Sequence, residues 1–155
     1  MMSLKLNLMI SMEWIKPKRL SVLEQFISMK RLFPADELKL GQNNFTWIGY
    51  LKSSPLGNSY KIKIVFERGK RPDVFVIDPI ELALAEGKTK LEHVYDQQKQ
   101  KLCLYYLDDR GWNSTKLISN TIIPWTIEWL YHYEIWLITG NWLGGGRHPV
   151  STSKK

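Results

Sequence analysis

The sequence predicts an α+β fold, and three observations support that prediction. A helix-capping motif lies near the start, strand patterns fill the middle, and helical periodicity returns in the last third. The chain has 155 residues, 44% of them apolar and 24% charged, which is the composition of a globular protein able to bury a sizeable core. We therefore expect a single domain over 1–155, with its core at about 20–138 and a tail at 141–155.

The first predicted helix begins at Ser21. Ser21 followed by Glu24 matches a capping box, in which each side chain satisfies a backbone amide of the first helical turn. Pro34 lies just past the expected end. The apolar residues in between recur at roughly helical spacing and predict the buried face of an amphipathic helix: Leu23, Phe26, Ile27 and Leu32.

Three strands are predicted next, over residues 45–51, 60–66 and 74–77. The first is rich in aromatic and β-branched residues, and the second alternates apolar and polar residues, as half-buried strands do. Turn-forming residues separate the strands, and Pro79 closes the third. Strands joined by such short connections predict an antiparallel meander.

Regular periodicity fades between residues 80 and 106. Residues 80–85 are consistent with a short helix that Gly87 would end, and residues 88–102 are polar enough for a surface loop that leads to Cys103. Long irregular segments in compact domains are often functional. This segment is therefore where we expect the site.

The last third is predicted to be helical. Pro124 follows an apolar group at 117–123 and either kinks one long helix or starts a second. Gly140 is a predicted C-cap, and the glycine run at 144–146 predicts a flexible loop. The helix carries a largely aromatic stripe that favours core packing over a docking face: Trp125, Trp129, Tyr133, and either Trp136 or Leu137.

Charge and cysteine content limit the functional classes. The formal net charge of +7 is spread along the chain, which favours a solvated surface, then an acidic protein partner, and least a nucleic acid. One cysteine excludes an internal disulfide and favours a reducing compartment. Because neither a signal peptide nor a membrane span is apparent, we expect a cytoplasmic protein. His132 and His148 have no companions at metal-ligand spacing, so neither a metal nor another cofactor is predicted.

The residues around Cys103 resemble a known family. His93 precedes Cys103 by ten positions, Leu104 follows it directly, Trp112 comes shortly afterwards, and 78–79 is a strand end with proline. These features resemble ubiquitin-conjugating enzymes, over roughly residues 20–138. The resemblance implies the ubiquitin-conjugating-enzyme-like fold and a thioester-forming role for Cys103.

The sequence His93-Val94-Tyr95 stands where the eukaryotic enzymes have His-Pro-Asn. Together with the Trp-rich end, it is more similar to bacterial relatives encoded in CBASS antiphage operons beside a CD-NTase cyclic-oligonucleotide synthase. This resemblance implies that Cys103 forms a thioester with the C-terminus of the CD-NTase and passes it to an amine, such as a target lysine. The transfer would regulate antiphage defence.

Within that chemistry, several residues receive expected roles. Cys103 is the nucleophile, as opposed to a buried structural thiol, and His93 holds the loop before it. Lys99 and Lys101 would increase the thiolate fraction by their charge. Donors for the developing oxyanion would be the Tyr95 hydroxyl, backbone amides or Asn113, and Asp108 or Asp109 would orient or deprotonate the incoming amine.

Two other classes of function stay open at this point. The chain would be a non-catalytic adapter of the same fold that binds the synthase, or a basic nucleic-acid-binding domain. A Cys–His hydrolase is disfavoured because no protease signature surrounds Cys103. The sequence contains no nucleotide-binding fingerprint and is too short for an adenylating domain. We therefore expect the acyl group to arrive already activated, or to come from a partner.

Overall fold

The computed structural model describes residues 16–105 and 111–144. Helix α1 (Val22–Leu32) precedes six strands, a short 3₁₀ turn (Ile118–Asn120) and helix α2 (Ile122–Thr139). The predicted α+β fold is confirmed. The strands are β1 (Glu37–Leu40), β2 (Asn44–Lys52), β3 (Ser59–Glu67), β4 (Asp73–Asp78), β5 (Val94–Asp96) and β6 (Lys101–Leu102).

The strands form one antiparallel sheet with the order β1-β2-β3-β4-β6-β5. The predicted meander corresponds to β2, β3 and β4 and is confirmed. Alternate residues of these strands are buried, so one face of the meander contributes to the core. The chain then leaves β4, forms β5 at the edge and returns as β6 between β4 and β5.

Helix α1 begins as predicted but buries a different face. The Glu24 amide donates to Ser21 Oγ at 3.1 Å, and the Ser21 amide donates to Glu24 Oε2 at 2.8 Å, which completes the capping box. The predicted apolar face is wrong in part, because three of its residues are exposed: Leu23, Ile27 and Leu32. The buried residues of the helix are Val22, Gln25 and Met29.

A buried glutamine explains this rotation of the helix. Gln25 is fully buried, and its Nε2 donates to the Lys116 carbonyl at 2.9 Å while its Oε1 accepts from the Ile118 amide at 2.9 Å. These bonds satisfy two backbone groups just before α2, one of them buried, that would otherwise lack partners. Gln25, a polar residue, thus lies at the centre of the helix face that packs against the core. A hydrophobicity pattern assigns such a position to an apolar residue.

Helix α2 starts close to Pro124 and packs its aromatic stripe inward. Pro124 is the third helical residue, where no intrahelical bond requires its missing N–H, so the helix continues without a break. Trp129, Tyr133 and Trp136 are buried in the core, as the periodicity predicted. Gly140 caps the helix with φ 72°, and its amide donates to the Trp136 carbonyl at 2.7 Å. Within the described ranges, neither helix is long and apolar enough to cross a membrane.

The segment between β4 and β6 differs most from the prediction. The short helix expected at 80–85 is absent, and 88–102 is only partly a surface loop, since it contains β5, all of β6 and buried Leu91, His93, Val94 and Gln100. Gln100 holds this segment in place. Its Oε1 accepts from the Leu82 amide at 2.6 Å, and its Nε2 donates to the carbonyls of Val76 and Pro79 at 2.9 and 3.0 Å.

We predict that Gln100→Ala lowers the free energy of unfolding by about 2–4 kcal/mol, because three hydrogen bonds are lost and buried backbone groups are left unpaired. Gln98→Ala, at an exposed position of the same turn, is the matched control and should change it by less than about 0.5 kcal/mol. Urea denaturation of both variants measures the difference. Equal stabilities would show that Gln100 does not hold this segment.

Candidate active site

The spacing of ten residues between His93 and Cys103 is the length of a β-hairpin. Val94 of β5 lies opposite Leu102 of β6, and just beyond that pair the Cys103 amide donates to the His93 carbonyl at 2.9 Å. The hairpin therefore places His93 and Cys103 next to each other although they are ten positions apart in the sequence. Their backbones are fixed at the edge of the sheet.

The His93 carbonyl also accepts a second hydrogen bond. The indole N–H of Trp129, on α2, donates to it at 3.0 Å. His93 is buried, has a positive φ of 49°, and its ring packs on Trp142 with the ring centroids 4.9 Å apart. The hairpin, α2 and the segment after α2 therefore meet at this residue.

Cys103 faces an open cleft. Its side chain is partly exposed, and its Sγ lies 3.9 Å from the Tyr105 carbonyl. The cleft has a volume of about 90 Å³. An activated carbonyl group can therefore approach the sulfur from solvent. Cys103 shares the cleft with His93 of the hairpin, with Glu128, Trp129 and His132 of α2, and with Trp142 and Gly144.

Tyr95 also lies beside Cys103, but it lines a neighbouring pocket with Tyr105 and not the cleft itself. Its hydroxyl donates to the Tyr105 carbonyl at 3.3 Å. Burial raises the pKa of Tyr95 above its ordinary value, and hydrogen bonding to the neighbouring Cys103 thiol raises this pKa further. The phenol therefore stays protonated at neutral pH, so it is available as a hydrogen-bond donor near the sulfur.

The two lysines that were expected to assist the thiol have other contacts. The Lys101 ammonium pairs with Asp73 at 2.9 Å and lies 5.8 Å from the centre of the Tyr95 ring. Lys99 has its amide bound to Asp96 Oδ1 at 2.8 Å, which closes the turn of the hairpin. The charge of Lys101 is therefore shared with an acidic neighbour.

Two other predicted residues are placed in the described structure. Asn113 Oδ1 accepts from both the amide and the hydroxyl of Thr115, which closes a local turn, and Asn113 is not among the described residues that line the cleft. Trp112 is buried, and its indole N–H donates to Thr121 Oγ1 at 3.1 Å. Both residues thus have structural contacts.

Other predictions concern residues outside the described ranges. These are Asp108 and Asp109, the expected partners of the incoming amine, together with Gly145, Gly146 and His148.

Comparison with known proteins agrees with this geometry. A family model described as the type II CBASS E2 protein matches residues 25–149, which is most of the chain. The chain belongs to this family. A search of curated proteins gave no match, so the assignment depends on the family model. The matched range of the CBASS E2 protein includes the hairpin, Cys103 and all of α2.

Sequence reasoning missed two parts of the site in this CBASS E2 protein. Glu128 and His132 lie one helical turn apart on the face of α2 that carries Trp125 and Trp129, and this spacing was visible in the sequence. Trp142 was assigned to the tail, yet it packs on His93, Trp129 and His132. A tryptophan two residues after a helix cap was the available signal for such packing.

We predict that Trp142→Ala increases the rate at which iodoacetamide alkylates Cys103, because the substitution removes one wall of the cleft. Leu143→Ala is the matched control, since Leu143 is 69% exposed, and it should leave the rate unchanged. Mass spectrometry of the intact protein over time measures alkylation at the single cysteine. Equal rates in the wild type and both variants would show that Trp142 does not shield the thiol.

Proposed function

We propose that this CBASS E2 protein forms a thioester between Cys103 and the C-terminus of a CD-NTase and then transfers that acyl group to an amine. The observation that carries the proposal is the partly exposed Cys103 side chain in an open cleft, on a backbone that the hairpin fixes. A structural cysteine would ordinarily be buried and inert. The CD-NTase partner comes from the resemblance to CBASS systems, and the family match supports it.

The proposed reaction has two steps. The Cys103 thiolate attacks the carbonyl carbon of an already activated C-terminus, a C–S bond forms, and the activating group leaves with its electron pair. An amine then attacks the same carbon, a C–N bond forms, the C–S bond breaks, and the amine loses a proton as the thiol is restored. Both steps pass through a tetrahedral oxyanion that needs hydrogen-bond donors.

Tyr95 is the proposed donor to that oxyanion. Its hydroxyl is protonated and close to the sulfur, and it now donates to the Tyr105 carbonyl over a relatively long 3.3 Å. The hydroxyl can exchange this weak bond for one to the oxyanion. His93 is a positioning residue in this scheme, because its carbonyl holds the Cys103 amide.

A trapping experiment tests the reaction. The protein is incubated with its operon CD-NTase and any activating factor, and we expect a conjugate that thiol reductant cleaves. Cys103→Ser should give a conjugate that resists reductant, because an oxyester replaces the thioester, and Cys103→Ala should give none. Denaturing gels with and without reductant distinguish the three outcomes.

The result would contradict the proposal if Cys103→Ala formed the same conjugate as the wild type. If no conjugate forms and Cys103→Ala keeps both CD-NTase binding and phage protection, the protein is a binding adapter instead. Association with nucleic acid that weakens steeply between two salt concentrations would favour a third function.

Tyr95→Phe tests the oxyanion donor. We expect it to slow both thioester formation and discharge by up to about 100-fold, since one such donor contributes about 3 kcal/mol to transition-state stabilisation. Tyr50→Phe is the control, because Tyr50 is an exposed tyrosine on β2. Single-turnover rates for both variants measure the effect. Unchanged rates in Tyr95→Phe would exclude the hydroxyl as the donor.

A further inference from the structure

We infer that Glu128 and His132 form the acceptor-amine subsite, in which the His132 imidazole takes a proton from the arriving ammonium group so that the neutral amine can attack. Both residues line the cleft that Cys103 faces. The inference rests on the proposed function, because it concerns the second step of that reaction. It assigns the proton acceptor and the site that binds the acceptor.

The two side chains are placed as a pair on α2. They lie four residues apart, which puts them on the same face of the helix. His132 Nε2 is 3.6 Å from Glu128 Oε1, a distance that suits an ion pair but is too long for a hydrogen bond. The Glu128 carboxylate therefore lies next to this nitrogen without occupying it by a hydrogen bond.

The burial of the imidazole indicates which nitrogen can exchange protons. The His132 side chain is 19% exposed, while its Nδ1 is buried and has no hydrogen-bond partner in the described part of the chain. Nδ1 is thus closed to a substrate, which leaves Nε2, the nitrogen beside Glu128. A buried polar atom without a partner costs free energy, and such atoms often have a functional explanation.

The segment after α2 fixes the orientation of the ring. The centre of the Trp142 ring lies 5.9 Å from that of His132, and a Cβ added at Gly144 would lie only 2.8 Å from His132 Cδ2. Only glycine therefore allows the backbone to approach the imidazole this closely. An imidazole that is held in one orientation is suited to proton transfer in a defined direction.

The charge of the cleft suits a cationic acceptor such as lysine. The titratable groups among its described lining residues are Cys103, His93, Glu128 and His132, and no lysine or arginine is among them. The Glu128 side chain is 68% exposed, so its carboxylate lies at the rim, where an arriving ammonium group can meet it. In a chain with a net charge of +7, this carboxylate provides a local attraction that offsets the general repulsion.

In the assigned step, lysine arrives as an ammonium ion and gives one proton to His132 Nε2, which produces a neutral amine and an imidazolium beside the Glu128 carboxylate. The neutral amine then attacks the thioester carbonyl carbon with its lone pair, and the C–S bond breaks toward the Cys103 sulfur. The second nitrogen proton passes to the released thiolate and the imidazolium proton passes to solvent, so the protein ends the cycle in its starting state.

Discharge of a preformed thioester to two amines tests the inference. The partner-charged full-length protein is isolated and then mixed with either free lysine or hydroxylamine at neutral pH. Lysine is then almost entirely an ammonium ion and must lose a proton, whereas hydroxylamine is already mainly neutral and a strong nucleophile. We expect His132→Gln to slow discharge to lysine by about 100-fold, as for loss of a general base, and to change discharge to hydroxylamine little.

Glu128→Gln provides the second variant, at an exposed position that should not affect folding. We expect it to raise the lysine concentration needed for half-maximal discharge. Ile138→Ala, at an 87% exposed position of α2, is the control and should behave as the wild type. If His132→Gln misfolds, the lysine concentration that Glu128→Gln needs for half-maximal discharge still tests the subsite.

The outcomes separate the two proposals. If the wild type never forms a thioester, the proposed function is wrong, and the subsite proposal is then wrong as well. If the thioester forms in all variants but discharge to lysine is unchanged, the function stands and the subsite is wrong. An equal slowing with lysine and hydroxylamine would assign the pair a structural role and would also overturn the inference.

Discussion

The site depends on one carbonyl group, that of His93. It accepts the Cys103 amide from the hairpin and the Trp129 indole from α2, so a single oxygen links the edge of the sheet to the C-terminal helix. Backbone hydrogen bonds of this kind contribute only about 1 kcal/mol each to stability, but their geometry fixes where the sulfur lies. His93 has a positive φ of 49° at this point, directly before β5 begins at Val94.

A hydrophobicity pattern was sufficient to predict a helix or strand where one face of that element packs against the core. The meander and the aromatic stripe of α2 were predicted for this reason, and the structure confirms both. The pattern failed at Gln25 and Gln100, two buried glutamines whose side chains satisfy backbone groups distant in sequence. Such bonds depend on tertiary contacts, so local sequence does not reveal them. The same reason explains the missed strands β1, β5 and β6, which are short and gain their stability from their neighbours.

The candidate site was predictable to the extent that it lies on one hairpin. His93 and Cys103 were predicted from their spacing within a family resemblance, and a two-stranded ladder explains that spacing; Tyr95 was predicted from the resemblance alone. The opposite wall of the cleft comes from α2 and from Trp142, and no local pattern shows that these elements reach the hairpin. Family resemblance supplied the cysteine chemistry, whereas the position of Glu128 and His132 in the same cleft as Cys103 depends on packing that local sequence does not show.

The β5–β6 hairpin also limits which sequence changes this protein can tolerate. Side chains of a strand alternate between the two faces of the sheet, so a shift of β6 by one residue against β4 and β5 would reverse the direction of the side chains that follow. Cys103 would then point away from α2. A designed variant should therefore keep the register of β6, together with Gln97 and Gln100, whose side chains hold the two ends of the turn by hydrogen bonds to the backbone.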